Sequence, residues 1–218
     1  MTLQVKICGL RSREAVGEAV RAGAAFAGFV FYPRSPRAIT EELAAELIRM
    51  LPPSVTSVAL LVDPDDRALE RALAVRPGML QLHGAESPAR VAQIRARAGL
   101  PVMKAVGIAR REDLEEARKY EGVADRLLFD AKAPRTAGSL PGGNGVPFDW
   151  RLLANTRWRV PWMLSGGLTP DNVGRAVSLS GARAVDVSSG VETSPGVKDP
   201  ARIRAFMEAA KREERSEV

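Results

Sequence analysis

The chain has 218 residues, of which 45% are hydrophobic and 27% charged, and this balance excludes a disordered chain. Its 32 lysines and arginines exceed its 26 acidic residues, but they are spread at helical spacing without interleaved aromatics, so we expect no nucleic-acid partner. The sequence shows neither a signal peptide nor a long apolar stretch, and its one cysteine, Cys8, cannot form an intramolecular disulfide, so we expect a cytoplasmic protein without membrane contact.

Short runs of β-forming residues that end in glycine, proline or polar residues recur eight times along the chain. They cover residues 5–8, 27–31, 58–62, 79–83, 102–106, 126–130, 162–165 and 184–188. The segments between them have helical periodicity, and four begin with a capping residue, namely Thr40, Ser87, Thr169 and Asp199. The pattern predicts strands that alternate with helices.

Eight strand and helix units in a chain of this length indicate an α/β fold, the (β/α)8 TIM barrel, as a single domain over residues 1–218. An open, doubly wound parallel sheet is the alternative. That fold usually carries a glycine-rich dinucleotide motif after its first strand, and Cys8-Gly9-Leu10-Arg11 does not supply one.

The catalytic residues of such barrels lie at the C-terminal ends of the strands. The polar side chains near these ends are Lys6, Cys8, Asp63, Gln81, His83, Lys104, Asp130, Lys132, Ser165, Asp186, Ser188 and Ser189. Alternation along a strand places Lys6 and Cys8 on one face, and Asp130 on the face of Leu128. A lone cysteine is usually a small buried apolar residue, yet this position favours Cys8 and Asp130 as a proton-transfer pair at the barrel mouth.

Glycine-rich loops follow the seventh and eighth predicted strands. Phosphate commonly binds between these two loops of a barrel, through backbone N–H groups and a helix dipole. We therefore predict a phosphate site at Gly166, Gly167, Ser188, Ser189 and Gly190, with ordinary turn glycines as the alternative.

Two further loops are candidates for contact with a substrate. Arg34 and Arg37 follow the second strand, and either guanidinium would suit a carboxylate, unless both are simply solvated. The segment 131–147 is long and rich in glycine, which predicts either a lid over the active site or a disordered surface loop. His83 is the only histidine, which excludes a histidine-rich metal site.

Several segments together closely resemble the phosphoribosylanthranilate isomerase family. They are residues 6–10, 31–37, 80–84, 129–132, 142–145 with 148–150, 164–168 and 185–192, in the family's order. The resemblance covers nearly the whole chain. It implies an Amadori rearrangement of N-(5-phosphoribosyl)anthranilate to 1-(2-carboxyphenylamino)-1-deoxyribulose 5-phosphate, a step of tryptophan biosynthesis, without metal or cofactor.

The resemblance also implies roles for individual residues. Cys8 matches the general base, Asp130 the general acid, and Arg37 the arginine on the anthranilate side of the substrate. We further assign Lys6, His83 and Asp186 to substrate binding, with a structural carboxylate as the alternative for Asp186 and a supporting side chain as the alternative for His83. Lys6 is expected to favour the Cys8 thiolate, and partial burial is expected to keep a proton on Asp130.

Two rival functions remain open from the sequence. One is another phosphosugar barrel enzyme, such as an epimerase or the related histidine-pathway isomerase, which carries an aspartate where this chain has Cys8. The other is a catalytically silent barrel that only binds a phosphorylated metabolite or a protein. Either a monomer or a homodimer fits the sequence.

Overall fold

Eight parallel strands close into a barrel in the computed structural model, which describes residues 2–132 and 147–216. Each strand pairs with the next along the chain, and the first pairs with the last. The strands are β1 (Gln4–Cys8), β2 (Phe26–Val30), β3 (Thr56–Leu61), β4 (Met79–Leu82), β5 (Val102–Ile108), β6 (Arg126–Ala131), β7 (Trp162–Leu164) and β8 (Ala184–Val187). The predicted eight-stranded barrel is confirmed.

Helices connect most of these strands on the outside of the barrel. They are α1 (Arg13–Ala22), α2 (Glu41–Ile48), α3 (Asp66–Ala74), α4 (Pro88–Ala98), α5 (Arg111–Arg118), α6 (Val173–Ser180) and α7 (Pro200–Ser216). Between β6 and β7 the described residues contain only a 3-10 helix, Trp150–Leu153. In the described part of the chain, no helix has the length and apolar character needed to span a bilayer.

After β8 the chain departs from the simple repeat. A 3-10 helix, Ser189–Val191, leads into two short antiparallel strands, β9 (Glu192–Ser194) and β10 (Val197–Lys198). This hairpin returns the chain to the barrel mouth before α7 begins, so it can deliver side chains to the polar end of the barrel.

Three of the four predicted helix starts are confirmed by hydrogen bonds. The side chains of Thr40, Ser87 and Asp199 accept from backbone N–H groups in the first turns of α2, α4 and α7. The start predicted at Thr169 is wrong, since α6 begins at Val173. The side chain of Asn172 accepts from Thr169 N at 2.8 Å and donates to Gly167 O at 2.9 Å, which holds these residues in a loop.

Side chains of the strands alternate between two apolar layers, as the period of two requires. Outward residues such as Ile7, Phe29 and Phe129 pack under the helices and are fully buried. Inward residues form a separate cluster inside the barrel: Phe26, Val58, Met79, Met103, Ala105, Leu128, Met163 and Ala184. This cluster closes the barrel interior with packed apolar side chains.

Candidate active site

Beyond the inward apolar cluster, the barrel interior becomes polar toward the C-terminal ends of the strands. Lys6 and Gln81 are fully buried, and Asp130, Ser165 and Asp186 are at most 7% exposed. Because the eight strands are parallel, all of these side chains lie toward the same mouth. So many buried polar groups in one place mark this end as the candidate active site.

A buried ion pair joins β1 to β8. Lys6 Nζ lies 2.8 Å from Asp186 Oδ1, and Ser165 Oγ donates to Asp186 Oδ2 at 3.2 Å. Burial by itself would lower the pKa of Lys6, but Asp186 and Cys8 raise it above its ordinary value. Lys6, which we assigned to substrate binding, is therefore a fixed cation whose nearest partner is a protein carboxylate.

Cys8 lies beside this pair and is 4% exposed. A Cβ atom placed on Gly28 of β2 would lie 3.1 Å from both the Cys8 Sγ and the Lys6 Nζ, so the thiol and the ammonium share one narrow space. Burial raises the pKa of the Cys8 thiol above its ordinary value, while Lys6 and Lys198 lower it in part. The expected help from Lys6 is present, but it does not outweigh burial in the free protein.

Asp130 is held by contacts of a different kind. Its Oδ1 accepts from Ala131 N at 2.8 Å, and its Oδ2 lies 3.2 Å from His83 Nε2. His83 Nδ1 in turn lies 3.0 Å from Gln81 Nε2. The carboxyl group is thus oriented by a backbone amide on one oxygen and by a histidine on the other.

The thiol and the carboxyl are connected across neighbouring strands. Lys6 beside Cys8 bonds to Asp186 of β8, and Asp186 bonds to Ser165 at the end of β7. Next to Ser165, a Cβ on Gly166 would lie 3.1 Å from Asp130 Oδ1. The structure therefore places Cys8 and Asp130 at one polar mouth, separated by the ends of β7 and β8.

Arg37, from the loop after β2, is buried in a second charged cluster. Its Nε and Nη2 each donate to a carboxylate oxygen of Glu192 at 2.8 Å. Lys198 Nζ also pairs with Glu192 and bonds to Ser188, whose hydroxyl donates to the Cys8 carbonyl at 3.1 Å. Burial would raise the pKa of Glu192, but Arg37 and Lys198 hold it below its ordinary value.

The two loops predicted to hold phosphate lie against each other. Gly166 and Gly167 adopt φ of +90° and +64°, a region that favours glycine. Gly190 packs on the Leu168 carbonyl so closely that a side chain there would overlap it. The loops after β7 and β8 thus form one continuous backbone surface beside Ser188 and Ser189.

Three polar residues near strand ends do not join this site. Asp63 accepts from Ala85 N at 2.7 Å, and Lys132 pairs with Asp113 at 2.7 Å. Lys104 alternates with the inward Met103 and Ala105, so it lies outside the barrel wall, where it pairs with Glu86 at 2.8 Å.

The two loops predicted to contact substrate have different outcomes. Arg37 of the first loop is buried, whereas Arg34 of the same loop is exposed. Most of the second loop, the predicted lid 131–147, lies outside the described residues.

Sequence reasoning missed three residues of the site, Gly28, Lys198 and Glu192, the last of which it placed only within a family motif. Gly28 has no Cβ to crowd Cys8 and Lys6, and a glycine inside a strand was the available signal for a close approach there. Lys198 stands in a short polar segment after the last motif, where nothing in its neighbours predicts a buried side chain. Only the folding of β9 and β10 over the mouth reveals it.

Comparison with known proteins agrees with these observations. Residues 5–209 match the family model described as N-(5'-phosphoribosyl)anthranilate (PRA) isomerase. The chain is 54% identical over 212 residues to the N-(5'-phosphoribosyl)anthranilate isomerase of Paramagnetospirillum magneticum, covering 97% of this chain and 98% of that one. It is 56% identical over 211 residues to that of Rhodospirillum centenum, covering 96% and 99%.

Solved structures of similar proteins share the whole fold. The crystal structure of phosphoribosyl anthranilate isomerase from Thermotoga maritima matches with a TM-score of 0.86 and 38% identity, covering 97% of this chain and 99% of that one. A phosphoribosyl anthranilate isomerase in complex with reduced 1-(o-carboxyphenylamino)-1-deoxyribulose 5-phosphate matches with a TM-score of 0.83 and 37% identity, with the same coverage.

Proposed function

This chain belongs to the N-(5'-phosphoribosyl)anthranilate isomerase family, and on that premise we propose that Cys8 is the general base and Asp130 the general acid of its reaction. The reaction is the Amadori rearrangement of N-(5-phosphoribosyl)anthranilate to 1-(2-carboxyphenylamino)-1-deoxyribulose 5-phosphate in tryptophan biosynthesis. It requires one group that gives a proton and one that takes a proton. The observation that carries the assignment is a buried thiol and a buried carboxyl at one polar barrel mouth.

The reaction has two proton transfers, and we assign one to Asp130 and the other to Cys8. Opening of the furanose needs a proton on the ring oxygen, and Asp130 is the group placed to donate it. Formation of the enolamine needs removal of the proton on the sugar C2, which the Cys8 thiolate accepts. The cations Lys6 and Lys198 lower the pKa of the Cys8 thiol, although by less than burial raises it, and so favour the thiolate that accepts this proton.

Substrate binding uses the groups that border this pair. Arg37 binds the anthranilate carboxylate with the N–H groups of Nη1, because the bonds to Glu192 within the described residues use only Nε and Nη2. The phosphate lies against Gly166, Gly167, Ser188, Ser189 and Gly190. Substrate binding by Lys6, Asp186 and His83 stays a prediction. In the structure Lys6 pairs with Asp186, Asp186 accepts from Ser165, and His83 lies 3.2 Å from Asp130.

The remaining assignments stay predictions from the sequence. These are a cytoplasmic location, reaction without metal or cofactor, no nucleic-acid partner, a single domain over residues 1–218 and a monomeric or homodimeric state. A similar solved structure is described as mutually generated monomers of the dimeric Thermotoga maritima enzyme. Light scattering on the purified chain distinguishes the two oligomeric states.

Turnover of the Asp130→Asn and Cys8→Ser variants tests the acid and base assignments. We expect each change to lower kcat by about 10²- to 10⁴-fold, followed as the loss of anthranilate fluorescence. Binding of reduced 1-(o-carboxyphenylamino)-1-deoxyribulose 5-phosphate should change little, since the phosphate loops and Arg37 remain. The exposed Glu112→Gln on α5 serves as the matched control.

Retained turnover in either variant would remove that residue from the mechanism. A loss of binding together with turnover would instead indicate that the substitution disrupted the barrel mouth.

A further inference from the structure

The β9–β10 hairpin packs against the loop that follows β2 and carries Arg37. Gly196, between the two strands of the hairpin, has a φ of +84°, and a Cβ on it would overlap the carbonyl oxygen of Pro36. Arg11 Nη1 donates to the same carbonyl at 2.8 Å. The hairpin and the Arg37 loop, far apart in the chain, are therefore fixed against each other through their backbones.

The stem of the Arg37 side chain is held by a glycine beside Cys8. Gly9 has a φ of +79°, and a Cβ on it would lie 2.8 Å from Arg37 Cδ and 3.2 Å from Arg37 Cβ and Cγ. Because Gly9 directly follows Cys8, this contact places the Arg37 side chain next to the proposed general base. Any side chain at Gly9 would push the arginine away from its position.

The guanidinium at the end of this stem is held by Glu192, the first residue of β9. Arg37 Nε donates to Glu192 Oε1 and Arg37 Nη2 to Glu192 Oε2, each at 2.8 Å. A guanidinium has five N–H donors in one plane, so three donors remain after these two bonds, two of them on Nη1. Two parallel bonds between planar groups fix the rotation of the guanidinium, and hence the direction of the remaining donors.

Lys198 of β10 gives this cluster an excess of basic side chains. Its Nζ lies 2.5 Å from Glu192 Oε1, so one carboxylate serves both Lys198 and Arg37. All three side chains are at most 7% exposed. Burial of two cations with one carboxylate is unfavourable unless another anion completes the charge balance. An anion at the remaining donors of Arg37 would do so.

We propose that Glu192 is a positioning residue that makes Arg37 selective for a carboxylate on the aromatic ring of the substrate. The inference rests on the proposed binding of the anthranilate carboxylate by Arg37. Since Gly9 fixes the stem and Glu192 the guanidinium, the remaining donors point in one direction before substrate binds. A carboxylate then binds without the cost of ordering a long side chain. A ring without a carboxylate leaves these donors unpaired.

Orientation and net charge make opposite predictions for the variant Glu192→Gln. The change removes a negative charge next to Arg37, so electrostatic attraction alone would strengthen the binding of a carboxylate. The glutamine amide, however, has only one acceptor oxygen and cannot accept from both Nε and Nη2. Loss of the fixed orientation should therefore weaken the binding of a carboxylate.

Two ligands that differ only in the carboxylate measure this selectivity. They are reduced 1-(o-carboxyphenylamino)-1-deoxyribulose 5-phosphate and the same compound prepared from aniline. Calorimetric titration gives a Kd for each, and the preference is the factor by which the carboxylate tightens binding. We expect Glu192→Gln to lower this factor about tenfold while the aniline-derived ligand binds as it does to the wild type. Ser194→Ala, an exposed position on the same hairpin, is the matched control and should leave the factor unchanged.

A double variant separates orientation from charge and also covers a failure of Glu192→Gln to fold. Glu192→Gln together with Lys198→Met has the same net charge in the cluster as the wild type but still lacks the two-bond contact to Arg37. We expect this protein also to lose about tenfold in the preference. Lys198→Met alone keeps both bonds between Arg37 and Glu192 and should lower the preference less than the double variant does.

The inference is wrong if the preference is unchanged or larger in both Glu192→Gln and the double variant. Equal weakening of both ligands would also overturn it, because Glu192 would then only maintain the shape of the mouth. Arg37→Met tests the premise separately. An unchanged preference in Arg37→Met would remove Arg37 as the partner of the carboxylate, whereas a loss in Arg37→Met without a loss in the Glu192 variants would overturn the role of Glu192 alone.

Discussion

The two halves of the barrel mouth hold their reactive groups in different ways. On the β1–β8 side, defined by Lys6, Cys8 and Asp186, the thiol is surrounded by buried full charges. On the β4–β6 side, defined by Gln81, His83 and Asp130, the carboxyl lies against the His83 ring, which in turn contacts the Gln81 amide. Burial disfavours the thiolate form of a cysteine, so fixed cations beside Cys8 are needed to favour it. The Asp130 carboxyl, in contrast, needs only hydrogen-bond partners that orient it.

Removal of one charge from the β1–β8 side should give the largest loss of stability. Asp186→Leu leaves Lys6 fully buried without its carboxylate, and we expect the free energy of unfolding to fall by about 3–5 kcal/mol in urea denaturation. Gln81→Met on the β4–β6 side removes only a neutral hydrogen bond and should cost about 1 kcal/mol. Equal losses for the two variants would contradict the comparison.

The pH dependence of the Asp186→Leu variant gives a second check. Without Asp186, burial lowers the pKa of Lys6 below its ordinary value of 10.5, so the unfolded chain binds more protons than the folded one. Stability of the variant should therefore rise with pH toward 10.5 relative to the wild type. The double variant Lys6→Met, Asp186→Leu should recover most of the loss.

A methyl group in the narrow space between thiol and ammonium should have an intermediate effect. Gly28→Ala places a Cβ 3.1 Å from Cys8 Sγ and Lys6 Nζ, and we expect destabilisation of about 1–3 kcal/mol and a lower kcat. Thermal unfolding and the fluorescence assay measure the two effects. Gly122→Ala, whose added Cβ meets nothing within 4 Å, is the matched control and should leave both unchanged.

The smallest effect should appear in the titration of Cys8 itself. Because burial raises the pKa of this thiol, alkylation by iodoacetamide should increase with pH to a midpoint above that of a free cysteine. In the double variant Lys6→Met, Asp186→Leu the midpoint should rise further, since the lowering by Lys6 exceeds the raising by Asp186. A midpoint below that of free cysteine would show that the cations outweigh burial even without substrate.

Most of the fold follows from local pattern. Each strand end lies within two residues of its predicted position, because short β-forming runs between capped helices leave few other choices. The start of α6 was predicted too early because the side chain of Asn172, three residues after Thr169, holds a loop there. A side chain that bonds to the backbone of its own loop competes with a helix cap, and residue types alone do not show which prevails.

The sequence by itself determined the eight strands, the face of each strand on which its polar residues stand, and the family motifs at the strand ends. Only the tertiary structure decided which polar groups meet. Lys6 and Asp186 are 180 positions apart and Arg37 and Glu192 are 155 apart, so their pairing depends on how the barrel closes and how its last hairpin folds back. Lys104 shows both parts of this division, since the alternation along β5 already turns it outward, but only the packed structure brings Glu86, 18 positions away, to its ammonium group.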